Sequence, residues 1–183
     1  MRFRVALAAI LLLSLGSCSA ENYTRGFGPE CPRYDTPELL SDRLITMAQS
    51  VPTASRVPCI SSFPVGWHFE TLDVRDGLTR FSLGSDRAGG RAVEVTLTQS
   101  CDTSKADEVP SDELGARQYE QVEELERYSG FRYYVFPGGC VTYRFDFRGE
   151  GRSGLAAEMT QALTLLTRAR IAGFVEENSR LEL

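Results

Sequence analysis

The middle of the chain alternates between apolar and polar positions with a period of two. The alternation runs through 67–70, 78–83 and 93–98, and in the last of these Val93 and Val95 face one way while the polar residues between them face the other. This period is typical of antiparallel strands that have one face in the core and one in water. Turn residues separate the three segments, at Asp76-Gly77 and over 86–90. The pattern predicts consecutive antiparallel strands.

A hairpin is predicted over 131–147. Two strand-like segments, 131–136 and 141–147, are joined by Pro137-Gly138-Gly139, which supplies the residues that tight turns require. We interpret the string Phe136–Cys140 mainly as structural. The alternative is a recognition edge whose amphipathic contacts come from three nearby tyrosines, namely Tyr133, Tyr134 and Tyr143.

Two segments have the helical period instead. The first is predicted to be capped by Thr36, to start at Pro37 and to end at Pro52; the second is capped by Ser153, has Leu155 and Leu166 on its apolar side, and bends or ends at Gly173. Residues 102–115 read as a loop, and 119–125 receive no assignment. The expected fold class is α+β, an antiparallel sheet of about five or six strands with N-terminal and C-terminal helices packed on one face.

The first seventeen residues have the features of a secretory signal. Basic Arg2 and Arg4 precede an apolar run over 5–15 that is too short to span a membrane comfortably. The following Leu15-Gly16-Ser17-Cys18 resembles the lipobox of bacterial lipoproteins. That resemblance implies cleavage before Cys18, a lipid on its thiol, and a mature chain tethered at the extracytoplasmic face of the cell membrane. Secretion after cleavage behind Ala20, or an uncleaved anchor, are the alternatives.

The domain organisation follows from this signal. Residues 1–17 form the signal peptide, 18–32 a flexible tether and 33–183 a single domain of a size that one core can support. Assigning Cys18 to lipid leaves four cysteines for an oxidising compartment, which predicts two disulfides. Three connectivities are open, and sequence order favours Cys31–Cys59 with Cys101–Cys140.

Charge and motifs exclude several classes of function. The chain without its signal has 18 basic residues against 25 acidic ones, a formal charge of −7, so we expect no nucleic-acid partner. No dinucleotide fingerprint, phosphate-binding glycine loop or EF-hand spacing is present, and no cofactor or metal is predicted.

Two groups of titratable residues are candidates for chemistry, and each has a simpler interpretation. His68 is the single histidine, and no G-x-S-x-G motif nominates a serine for it, so a structural or surface role is favoured over a catalytic one. The acidic run Glu120, Glu123, Glu124 and Glu126 is interpreted as a solvated face rather than paired catalytic carboxylates or calcium ligands.

The sequence therefore favours an exported, lipid-anchored envelope protein that acts as a non-catalytic binding or interaction module. Its partner would be an unknown envelope protein or small ligand, with the membrane contacted through the N-terminal lipid. The alternatives are an exported hydrolase that uses carboxylates or a serine, and a carrier whose core cavity accepts a lipid or another small ligand.

Overall fold

The computed structural model of the chain describes residues 28–32, 41–124, 128–148 and 152–181. Within these residues the chain forms three helices and nine strands. In chain order they are α1 (Asp42–Ser50), β1 (Arg56–Ile60), β2 (Trp67–Arg75), β3 (Leu78–Ser85), β4 (Gly89–Thr98), β5 (Asp107–Val109), β6 (Arg117–Glu124), β7 (Ser129–Phe136), β8 (Gly139–Asp146), α2 (Arg152–Ala162), β9 (Leu163–Thr167) and α3 (Arg168–Leu181).

Seven of the strands form one antiparallel sheet in the order β2-β3-β4-β8-β7-β6-β5. The first three strands and the last four form two successive meanders, and the pairing of β8 with β4 joins them. The predicted strands over 67–70, 78–83 and 93–98 and the hairpin over 131–147 are confirmed as β2, β3, β4 and β7–β8. The segment 119–125, which received no assignment, belongs largely to β6, and β5 lies within the predicted loop over 102–115.

One face of this sheet carries the core. The alternating apolar residues of β4 and β8 are buried almost completely, as their period predicted, and Val95 is paired with Tyr143 in the middle of the sheet. Aromatic rings of β8 and its flank make edge-to-face contacts with one another, which adds to the burial energy. The polar side chains of the same strands are left on the opposite face.

Helix α1 begins later than the sequence predicted. Ser41 is its N-cap, with an extended backbone and a hydroxyl that accepts a hydrogen bond from the Leu44 amide, so the first helical residue is Asp42. The predicted start at Thr36-Pro37 lies outside the described residues. Leu44 and Met47 are fully buried on the predicted apolar face.

The expected fold class is correct only in part, because the described residues are mostly β. The predicted helix from Ser153 to Gly173 is interrupted by β9, which pairs antiparallel with β1, a strand that was not predicted. This two-stranded sheet contacts the large one through β1, which touches β4 and β8. Helix α1 contacts β1, β2 and β3, whereas α2 and α3 contact β9. The prediction of one sheet with helices packed on one face is therefore wrong.

Two disulfides are present, and they have the connectivity favoured by sequence order. Cys31 is bonded to Cys59 with 5.0 Å between their Cα atoms, and Cys101 to Cys140 with 5.8 Å. The first bond fixes residues 28–32 against β1, where Glu30 and Ile60 form a parallel bridge. Residues 28–32 thus pack on the fold, although the sequence analysis placed them in the tether.

Candidate functional site

A β-bulge in β2 brings polar side chains together on the face of the sheet opposite the core. Phe69 pairs with Leu83 and Thr71 pairs with Ser82, so Glu70 is the extra residue between two regular pairs. Bulges re-aim side chains and are frequent beside functional sites. Here the bulge brings the Glu70 carboxylate to the Ser82 hydroxyl of the neighbouring strand, which donates to Oε2 at 3.4 Å.

Gly84 of β3 makes room for these side chains. The pairing of β3 with β4 shifts register between Leu83 and Ser85, and Gly84 lies at the shift. A Cβ atom built on Gly84 would lie 2.7 Å from His68 Nε2 and closer still to Glu70 Oε1. Any side chain at this position would displace both polar groups, because real Cβ atoms do not approach neighbours so closely.

Arg91, near the start of β4, has a left-handed backbone with φ of 49° and is the one non-glycine residue with positive φ in the described ranges. This conformation is uncommon for a residue with a long side chain and carries a strain cost. Its amide donates to Glu70 Oε2 at 2.9 Å, which connects the strained turn to the bulge.

The bulge and Arg91 border a half-open cavity of about 480 Å³, and Gly84 lies next to two of its lining side chains, those of His68 and Glu70. We call this cavity the bulge pocket. Arg148, which follows β8, completes its wall, and its guanidinium lies 3.6 Å from the Asp146 carboxylate. His68 Nε2 lies 3.8 Å from Glu70 Oε1 at the rim. The residues that line the pocket are His68, Phe69, Glu70, Thr71, Gly90, Arg91 and Arg148.

The bulge pocket does not contain the arrangement of a serine hydrolase. Such an arrangement needs a serine hydrogen-bonded to a histidine that a carboxylate orients. Here the carboxylate of Glu70 lies between the other two groups, 3.4 Å from the Ser82 hydroxyl and 3.8 Å from the His68 ring. Ser82 is only 3% exposed, and the Thr71 hydroxyl lies 2.6 Å from it. Among the described contacts, neither the Ser82 nor the Thr71 hydroxyl is hydrogen-bonded to the His68 ring.

The acidic run of β6 does not converge on one point. Glu120 is paired with Arg132 of β7 at 2.7 Å, whereas Glu123 and Glu124 are exposed and Glu126 lies outside the described residues. In the part of the chain that the structure describes, no group of three His, Cys, Asp or Glu side chains is placed to hold a metal ion.

The turn between β7 and β8 is packed rather than free. Thr53 donates through its hydroxyl to the Gly138 carbonyl at 2.7 Å, and the Ser55 amide donates to the Pro137 carbonyl at 3.1 Å. Tyr134 and Tyr143 are 1% and 2% exposed, so they offer no contact area to a partner. Burial raises the pKa of both hydroxyls, and Tyr134 donates to Asp112 at 2.9 Å. These contacts favour the structural interpretation of the turn.

Of the charged and titratable residues that line the pocket, only His68 was a candidate from the sequence; Glu70, Arg91 and Arg148 were not predicted as its neighbours. One signal was available, since a glycine inside a strand pattern, here Gly84, often marks a bulge or a close approach. Cys18, the predicted lipidation site, lies outside the described residues.

No helix in the described part of the chain is long and apolar enough to cross a membrane. No family model matches the chain, and neither the curated proteins nor the solved structures contain a match.

Proposed function

We propose that this protein is an exported, lipid-anchored, non-catalytic binding module that holds a small ligand of the cell envelope in the bulge pocket. The observation that carries the proposal is the convergence of two irregular backbone features on one cavity, the bulge at Glu70 and the left-handed Arg91, beside a glycine at position 84 that leaves room for the Glu70 and His68 side chains. Strained and irregular backbone is retained where function needs it.

Export and anchoring are proposed from the sequence. The signal-like run over 1–17 and the resemblance of residues 15–18 to a lipobox support them. The two disulfides add support, because structural disulfides persist mainly in oxidising compartments.

The proposal is tested by a ligand screen on the purified mature protein in detergent. Thermal unfolding is recorded with sugars, amino acids, short peptides, organic acids and phosphate esters, because a ligand that binds only the folded state raises the melting temperature. We expect at least one class to stabilise the wild type and to act less on Arg91→Asn, since asparagine tolerates the left-handed backbone but lacks the guanidinium.

Two results would contradict the proposal. One is a screen in which no ligand raises the melting temperature of the wild type more than that of Arg91→Asn. The other is turnover of chromogenic ester, glycoside or phosphate substrates that disappears in His68→Ala, which would restore the hydrolase hypothesis.

A further inference from the structure

We propose that the bulge pocket binds an oxyanion, a carboxylate or phosphate group, between the guanidinium groups of Arg91 and Arg148. This inference rests on the proposed binding function and specifies the ligand. Carboxylate and phosphate are both named because a planar guanidinium group donates paired hydrogen bonds to either anion.

Arg91 supplies the stronger part of the argument. Its backbone is fixed in place by the hydrogen bond from its amide to Glu70 Oε2, yet its guanidinium has no ion pair within the described ranges. The side chain is exposed and lines the cavity. The Arg91 guanidinium, which is held by a strained backbone and has no ion-pair partner among the described residues, is available for a ligand.

Arg148 is also available to a ligand, because its ion pair is weak. Its ion pair with Asp146 is long, at 3.6 Å, and the arginine side chain is 71% exposed. Exposed pairs of this kind contribute little free energy, so a ligand anion displaces the Asp146 carboxylate at small cost. The stem of Arg148 lies beside Gly89, where a Cβ atom would come within 3.8 Å of the Arg148 Cβ.

The charge balance of the lining favours an anion. The lining residues include two arginines and one carboxylate, that of Glu70, whose Oε2 already accepts hydrogen bonds from the Arg91 amide and the Ser82 hydroxyl. The lining is thus positive in a chain whose formal charge is −5 overall. A ligand selected by the general charge of the protein would be a cation, so a positive pocket on this surface indicates a specific anion site.

The chain contains its own reporter for the test. His68 is the single histidine and lies at the rim of the pocket, so its ring resonances in a proton NMR spectrum need no assignment by mutation. We expect saturable shifts of these resonances when the mature protein, at constant pH and ionic strength, is titrated with inorganic phosphate or with acetate. Sodium chloride at matched ionic strength and guanidinium chloride serve as reference titrations and should give no saturation.

Matched variants assign the effect to the pocket. Arg91→Asn and Arg148→Gln should each raise the dissociation constant about tenfold or more, because each removes one of the two charged donors. The control is Arg75→Gln, which removes an exposed arginine at the other end of β2, where it pairs with Asp73. This variant should bind as the wild type does. An unchanged spectrum outside the His68 resonances shows that each variant is folded.

The outcomes separate this inference from the function on which it rests. Tighter binding of phosphate than of acetate assigns the site to phosphate, and the reverse order assigns it to carboxylate. Shifts that do not saturate, or saturate equally in the Arg91→Asn and Arg148→Gln variants, overturn the oxyanion site. If neutral ligands nevertheless shift the His68 resonances with saturation, the binding module stands and only its ligand class is wrong. If no ligand does, both proposals fail.

Discussion

Gly138 and Gly77 have nearly the same left-handed backbone, with φ of 73° and 75°, but different surroundings. A Cβ atom at Gly138 would overlap the Thr53 carbonyl, whereas at Gly77 it would meet nothing within 4 Å. We expect Gly138→Ala to lower the free energy of unfolding by about 3–5 kcal/mol, because strain and a backbone clash add. Gly77→Ala, the matched control, should cost about 1 kcal/mol from strain alone.

Denaturant unfolding of both variants measures the difference. Equal losses in the two variants would mean that the hairpin turn does not depend on its contact with residues 53–55.

Tyr143 predicts how stability changes at alkaline pH. Burial raises the pKa of this hydroxyl well above its usual value, with the neighbouring Tyr134 adding to the shift. Its folded-state pKa exceeds its unfolded-state pKa, so its contribution is fully present below about pH 10 and is lost as the pH rises beyond that. We expect the free energy of unfolding to fall by up to about 1.4 kcal/mol per pH unit for this residue.

The comparison is with Tyr143→Phe, which has no proton to lose. Its denaturation midpoint, measured between pH 8 and pH 11, should fall less steeply than that of the wild type. Parallel curves would show that Tyr143 ionises equally well in the folded protein.

At the scale of elements, α1 depends on an arginine that is distant in sequence. The Arg168 guanidinium donates to the carbonyls of Ala48 and Val51, at the C-terminal end of the helix, and to that of Ala54. The last carbonyls of a helix have no partner within it and carry partial negative charge, so a cation is favourable there. The contact also holds the start of α3 to the segment that follows α1.

We therefore expect Arg168→Met to lower the free energy of unfolding by about 2–4 kcal/mol, because methionine keeps much of the apolar volume but removes the guanidinium donor from three carbonyls, of which that of Val51 keeps a second donor, the Ala54 amide. Arg75→Met, at an exposed ion pair, should change it by less than about 1 kcal/mol. Chemical denaturation of the two variants decides between these expectations. A loss in Arg168→Met no larger than that in Arg75→Met would show that water replaces the guanidinium.

Periodicity predicted the strands that have one buried and one more exposed face. It did not predict strands that are buried on both faces. β4 alternates between buried and half-buried residues and was found, whereas β1 is buried at four of its five positions and shows no alternation. The residues of β9 were predicted to be helical, because the spacing of Leu163 and Leu166 also fits a helix. They form a strand because they pair with β1. Pairing between segments a hundred residues apart cannot be read from a local pattern.

The site was less predictable than the fold for a related reason. His68 could be named because it is unusual, but the role of Arg91 depends on its backbone angle and that of Arg148 on the return of the chain after β8. Neither is a property of a short motif.

At the scale of the molecule, the disulfides close two long loops of the chain. They join residues 28 and 39 positions apart, and Cys59 and Cys140 are fully buried. Loops of this length restrict the unfolded chain enough for each bond to contribute about 3–4 kcal/mol. We expect Cys101→Ala with Cys140→Ala, and separately Cys31→Ala with Cys59→Ala, to lower the free energy of unfolding by about that amount. Four thiols open to alkylation in the native, unreduced protein would contradict both bonds.

The last prediction concerns how the whole protein is held at the membrane. If Cys18 carries a diacylglycerol, the two acyl chains provide the anchor, since each buried methylene contributes about 0.8 kcal/mol and two chains are enough for stable attachment. We expect the mature wild-type chain to carry added acyl mass and to sediment with membranes, and Cys18→Ser to be released into the soluble fraction. The variant should keep the wild-type melting temperature and His68 resonances, because the substitution leaves both disulfides and every described residue unchanged. A mature species that begins at Glu21 without acyl mass, or a Cys18→Ser protein that carries the same acyl mass as the wild type, would overturn the lipid anchor while leaving the bulge pocket and its ligand to be judged by their own experiments.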